Sequence, residues 1–183
     1  LLDILISIPL CSLLLIPCIL IAILIKLTSK GHVIYWSERK GKDDISFLMP
    51  KFRTMLEGSP SLATHLLKEP ERFLTPIGSF LRNASLDEIP QIYSIIKGDM
   101  TYVGPRPALY NQQDLITKRK KEGISLLLPG VTGWAQINGR DDLSIDQKVK
   151  YDLYYLNNRS LNLDLKIIII TILKVLKRSN VNH

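Results

Sequence analysis

Residues 4–25 read ILISIPLCSLLLIPCILIAILI, 22 consecutive positions without a charged side chain. A helix that crosses a bilayer needs about 20 apolar residues, so length alone permits a full span. A cleaved signal peptide fits poorly, because no basic region precedes the run and no small-residue cleavage motif ends it. Pro9 and Pro17 interrupt it. Each lacks an N–H and crowds the carbonyl four residues back. Ser7 and Ser12 lie in the preceding turns as partners for the freed carbonyls. A break near Pro17 would leave two arms of about 13 and 8 residues, both too short for about 30 Å of hydrocarbon, so the segment would enter and leave by one leaflet. One kinked span is the alternative. Lys26 and Lys30 place the C-terminal end of the run on the cytoplasmic side.

Beyond this leader the chain is basic. Lys plus Arg is 24 against 17 Asp plus Glu, a net +7 over 183 residues. Asp3 is the only charge before residue 26, so the remainder carries +8. The length suits one domain. The balance of apolar and charged residues excludes a disordered chain, a collagen-like chain and a many-span transporter. Two cysteines, Cys11 and Cys18, both inside the leader, exclude a disulfide-stapled secreted fold. A basic body suits anionic partners. A greasy leader beside it favours lipid head groups or anionic substrates over nucleic acid.

The body is predicted to be α+β and mostly helical. Residues 32–55, HVIYWSERKGKDDISFLMPKFRTM, read as strand–turn–strand, and 58–72 as a loop with a short helix. Helical spacing follows at Ile77, Phe80 and Leu81, then at Ile89, Ile92, Ile95 and Ile96, with Gly98 as C-cap. VGPRPA cannot be helix, and PGVTGWAQINGR is a glycine-punctuated loop. Helices are expected over 112–122, 143–156 and 161–178. The last, with Lys166, Lys174, Lys177 and Arg178, suits a membrane surface or a core helix with a solvated face. Lys148, Lys150, Arg119, Lys120 and Lys121 extend the basic surface.

His32, His65 and His183 are scattered and form no metal-ligand pattern; no nucleophile elbow, Walker A or dinucleotide fingerprint occurs. Asp87 and Glu88 stand together in SLDEIPQI. Ser85 and Glu88 fit a capping box, with Pro90 in the first turn. The same geometry also suits a nucleophilic carboxylate kept ionised at a helix start, beside a second carboxylate for a hard cation. Arg106 sits between prolines, and Arg82, Lys51 and Arg53 add positive charge. Guanidinium and ammonium groups of this kind neutralise a phosphoanhydride while a carboxylate attacks it.

These stretches resemble the bacterial sugar transferases, the small monotopic phosphoglycosyl transferases that act on polyprenol phosphate. LIKLTSKGHVIYWSERKGK, PKFRTM, GSFLRNASLDEIPQIYSIIKGDMTYVGPRP, PGVTGWAQINGR and YDLYYLNN with LDLKI match in order over nearly the whole chain. The resemblance implies a re-entrant helix–break–helix over 1–27 and a cytoplasmic catalytic domain over 28–183, on the inner membrane of a bacterium. It implies transfer of a sugar phosphate from a nucleotide sugar, UDP-linked by family habit, to undecaprenyl phosphate. Asp87 falls on the nucleophile and Glu88 on its Mg²⁺-binding partner. Pro105, Arg106 and Pro107 fall on a phosphate-contacting loop, and Arg82 on an arginine near the dyad. The sequence departs from the family where Ile16 precedes Pro17, where Leu128 replaces a basic residue, and at Ser37 and Pro50. Two other readings compete. One is a membrane-anchored basic adaptor without catalysis; the other is a glycosyltransferase that moves sugar without phosphate.

Overall fold

A computed structural model describes residues 2–59, 69–139 and 142–179. Most of the expected loop and short helix at 58–72, together with His65 and His183, lies outside the described residues.

The leader is helix α1, Leu2–Thr28, and it runs without a break through Pro9 and Pro17. The expected interruption at Pro17 is absent. Each proline deletes one hydrogen bond, while the surrounding leucine, isoleucine and alanine keep the rest of the ladder. The serines do not serve the freed carbonyls. Ser7 Oγ donates to Asp3 O at 2.8 Å and Ser12 Oγ to Ile8 O at 3.4 Å. Most of α1 faces outward, with Leu13 and Ile16 largely exposed. One stripe meets the body, and it does so at both ends. Asp3 Oδ2 accepts from Thr101 Oγ1 at 2.8 Å, and Ser7 Oγ shares a 2.8 Å hydrogen bond with Tyr102 OH. Ile21 and Ile25 are buried against Phe52 and Leu81.

Strands β1 (Ile34–Lys40) and β2 (Ser46–Phe52) form the expected hairpin, in antiparallel register from Ile34↔Phe52 to Lys40↔Ser46. β2 is the sheet edge, which accommodates Pro50 without losing a ladder bond. Helices α2 (Gly78–Asn83) and α3 (Ile92–Lys97) follow, with a 3₁₀ segment Leu86–Gln91 between them. Gly98 ends α3 in the left-handed conformation at φ 90°, as its sequence position suggests. β3 (Thr101–Val103) pairs in parallel with β5 (Gly130–Thr132), and β4 (Ala108–Leu109) joins the far side of β1. PGVTGWAQINGR is therefore more ordered than a loop, because it also holds helix α5 (Trp134–Ile137).

Helices α4 (Gln113–Lys121), α6 (Ile145–Asn157) and α7 (Leu161–Ser179) match their expected spans closely. α6 opens on a complete Ser144–Gln147 capping box. α7 buries one apolar stripe and exposes both apolar and charged residues, Lys166, Lys174 and Lys177 among them. Ile167 is fully buried with Val103, Leu127, Ile137 and Tyr155, yet Leu165, Ile169, Ile172, Leu173 and Leu176 are exposed. Two of its lysines also reach back to the body. Lys174 Nζ donates to Ile137 O at 2.5 Å, and Lys166 Nζ lies 5.7 Å from the centre of the Trp134 ring. Two helices thus present apolar surface outward, α1 and α7.

Candidate active site

The Asp-Glu pair sits where the 3₁₀ segment Leu86–Gln91 packs on β2. The capping box does not form. Ser85 takes a left-handed backbone, φ 56°, with no side-chain cap bond. Glu88 turns instead to two cations, accepting from Lys51 Nζ at 2.8 Å and from Arg106 Nη2 at 2.6 Å, both on Oε1. Lys51 Nζ also lies 3.9 Å from Asp87 Oδ2. β2 delivers Lys51, the 3₁₀ segment delivers both acids, and the Pro105–Pro107 turn delivers Arg106. Arg82, from α2, bonds Thr54 Oγ1 through Nε at 2.8 Å. Gly78 makes that packing possible, since a Cβ there would stand 2.2 Å from Thr54 O.

The two acids behave oppositely. Burial pushes the Asp87 carboxyl up, against the pull of Lys51, Arg82 and Arg106, and Glu88 beside it adds to the rise. The helix start is a short 3₁₀ segment, and desolvation is the larger influence on Asp87. Burial also works to raise Glu88, but Arg106 and Lys51 outweigh it and hold Glu88 well below the usual carboxylate range. Glu88 is thus a fixed anion, and Asp87 is the group whose ionisation its surroundings tune.

Arg53 does not point at this pair. Its Nη1 donates to Lys30 O, and its Nη2 to Ser29 O at 3.1 Å and Ser29 Oγ at 2.9 Å. It ties the two residues that follow α1 to the end of β2. Three residues absent from the sequence-based candidates join the site. Arg39 donates to Pro107 O at 3.3 Å, and burial followed by Arg106 pushes its guanidinium down to about 10. Arg119 is buried, not part of the basic surface, and donates to Arg106 O at 2.7 Å. Asp152 receives Arg119 Nε and Nη2 at 3.0 and 2.6 Å. Their signal was a charge on an apolar face. Arg119 follows Leu115 and Ile116 on α4, and Asp152 precedes Tyr155 on α6.

Lys51, Arg82, Asp87, Glu88, Arg106 and Arg39 border one cleft of about 1230 Å³. Cations outnumber acids around it, so it suits a ligand with more than one negative charge. Among the described residues no cluster of three or more His, Cys, Asp or Glu side chains could enclose a metal.

The model of a family described as bacterial sugar transferase matches residues 1–178. The chain belongs to that family. Membership sets aside the non-catalytic adaptor. Among its relatives is the uncharacterized sugar transferase EpsL of Bacillus subtilis (strain 168), 40% identical over 83% of this chain and 74% of its own length. The UDP-glucose:undecaprenyl-phosphate glucose-1-phosphate transferase of Escherichia coli (strain K12) is 38% identical over 84% of this chain and 35% of its own. The UDP-N-acetylgalactosamine-undecaprenyl-phosphate N-acetylgalactosaminephosphotransferase of Aeromonas hydrophila is 34% identical over 85% and 38%. This chain therefore spans little more than a third of the two sugar-phosphate transferases named for their substrates.

Proposed function

We propose that the chain transfers a sugar phosphate from a UDP-sugar to undecaprenyl phosphate, through a covalent phosphosugar on Asp87, at the cytoplasmic face of a bacterial inner membrane. The observation that carries this reading is Asp87 itself, a buried carboxylate among Lys51, Arg82 and Arg106, beside an acid that Arg106 and Lys51 keep ionised. In the first half-reaction an Asp87 carboxylate oxygen attacks the sugar-bearing phosphorus. The Asp87 O–P bond forms, the anhydride P–O bond breaks, and UMP leaves with the electron pair. In the second, an oxygen of undecaprenyl phosphate attacks the same phosphorus, releases the Asp87 carboxylate and yields undecaprenyl diphosphosugar. Both substrates use one site in turn, which is what a covalent intermediate permits.

Lys51 and Arg106 stabilise negative charge on the phosphoryl oxygens, and Glu88 holds the two cations in place. Arg106 is the better phosphate ligand of the pair, as its planar fork matches two oxygens at once. The acids also fit Mg²⁺, which is commonly bound by one or two carboxylates together with substrate phosphates. Both cations reach Glu88 through Oε1, so Oε2 and the Asp87 carboxylate are the oxygens that would hold the ion. When bound, it would neutralise diphosphate charge.

The apolar outward faces of α1 and α7 support seating the cleft at the lipid interface, where a long-chain phosphate presents its head group. That both ends of the unbroken α1 rest on the same body supports a leader lying along one leaflet beside the body and not crossing the bilayer. The test is a panel of nucleotide sugars with undecaprenyl phosphate and Mg²⁺ in nanodiscs, scoring released nucleoside monophosphate and product by mass spectrometry. UMP release with a diphosphosugar lipid is expected. A product carrying sugar with no added phosphate would establish the phosphate-free glycosyltransferase instead.

A further inference from the structure

Three successive carbonyls of the Pro105–Pro107 turn are held from outside it. Gly130 N donates to Pro105 O at 2.9 Å, Arg119 Nη1 to Arg106 O at 2.7 Å, and Arg39 Nη1 to Pro107 O at 3.3 Å. Two of the three residues are prolines, so the turn has one backbone N–H of its own and is fixed largely through its acceptors. The Arg119 contact is the shortest, and it is braced by a buried carboxylate, whereas Arg39 is steadied only by the Ser37 hydroxyl, Nε to Oγ at 2.9 Å. Two nitrogens of the Arg119 fork bind Asp152 Oδ2, which leaves the remaining nitrogen aimed at Arg106 O. Asp152 is 1% exposed and Arg119 8%. Burying an ion pair is costly, and well-packed apolar residues often serve stability as well. An apolar pair could not donate to a carbonyl, so direction is what this pair supplies.

We propose that Arg119 and Asp152 are positioning residues for phosphate recognition: they fix the Arg106 backbone and thereby set the guanidinium that meets Glu88 and the substrate diphosphate. The inference rests on the cleft being a nucleotide-sugar site. It joins α4 and α6, remote in sequence from the dyad, to the reacting centre through one backbone oxygen.

The test is a double-mutant cycle on the full chain in detergent, with UDP as the probe and Kd as the readout. The four proteins are wild type, Arg119→Lys, Arg106→Lys and the double variant. Lysine keeps the charge but loses the fork. Arg119→Lys is expected to weaken UDP binding about tenfold in the wild-type background and less than twofold beside Arg106→Lys, a coupling within the range of contacting residues. A general structural brace would give equal losses in both backgrounds, and that result overturns the proposal. Asp152→Asn carries the same cycle should Arg119→Lys unfold, and UDP affinity unchanged by Asp152→Asn also overturns it. Failure of the wild-type chain to bind UDP at all would instead sink the underlying site reading, and the inference with it.

Discussion

Replacing Lys51 with methionine keeps the length of the side chain and removes one charge from between the two acids. Lys51 Nζ stands 3.9 Å from Asp87 Oδ2 and 2.8 Å from Glu88 Oε1, and all three side chains are at most 14% exposed. At about 4 Å, two unit charges attract by about 4 kcal/mol at an effective dielectric near 20. Water entering in place of the ammonium returns part of that, and Arg106 still holds Glu88. We expect a net loss of about 2 kcal/mol in the first half-reaction, about 30-fold in rate at neutral pH. The pH dependence has a definite sign. Burial already raises the Asp87 carboxyl, and Lys51 is the foremost cation drawing it back. Without Lys51 the carboxylate is harder to form, so the acid limb of the profile moves to higher pH. Rapid-quench measurement of the UMP burst from pH 5 to 9 reads both quantities, and Lys51→Arg should retain most of the rate. A Lys51→Met burst within twofold of wild type, or an acid limb that stays put or moves to lower pH, would refute the electrostatic role given to Lys51.

Ile25→Ala should cost about 2–4 kcal/mol, since Ile25 is fully buried against Phe52 and Leu81; denaturant unfolding in detergent checks it, and a loss below about 1 kcal/mol would deny that the end of α1 docks there. Gly78→Ala should lower activity more than a surface Gly→Ala, because its Cβ would meet Thr54 O at 2.2 Å and displace the Arg82 partner; UMP release is the readout. Glu88→Gln should flatten the acid side of the stability curve. Glu88 is held well below its ordinary 4.5, so the folded chain binds fewer protons than the unfolded one there. Its contribution is complete above that pH and is lost as pH falls through the folded value. The variant should lack up to about 1.4 kcal/mol per pH unit of that slope in equilibrium unfolding.

The long periodic segments were legible in the sequence because their signal is local. α4, α6 and α7 announce themselves by helical spacing, and the β1–β2 hairpin by β-branched and aromatic residues around GKDD. Asp87, Glu88, Lys51 and Arg106 are legible as a carboxylate pair and its cations, and they converge. What sequence concealed depends on distant partners. β5 exists because Gly130 and Thr132 pair with Thr101 and Val103, and three residues are too few to show alternation. Ser85 looks like a cap until its backbone turns left-handed and Glu88 finds two cations. Arg53 shares a short basic stretch with Lys51 and lines the same cleft, yet it lies beyond the last residue of β2 and commits its guanidinium to Ser29 and Lys30 instead of to the acids. Pro17 suggests a break that the rest of the α1 ladder absorbs. Arg119 seems part of a lysine-rich surface until Asp152 is seen opposite it.

The central claim is that Asp87 carries the phosphosugar. Intact-mass spectrometry of the purified chain, incubated with the accepted UDP-sugar and Mg²⁺ but no polyprenol phosphate, addresses it directly. Wild type should gain the mass of one sugar phosphate, with peptide mapping placing it on Asp87, and Asp87→Asn should gain nothing. An adduct that persists in Asp87→Asn, or that maps to another side chain, would contradict the account.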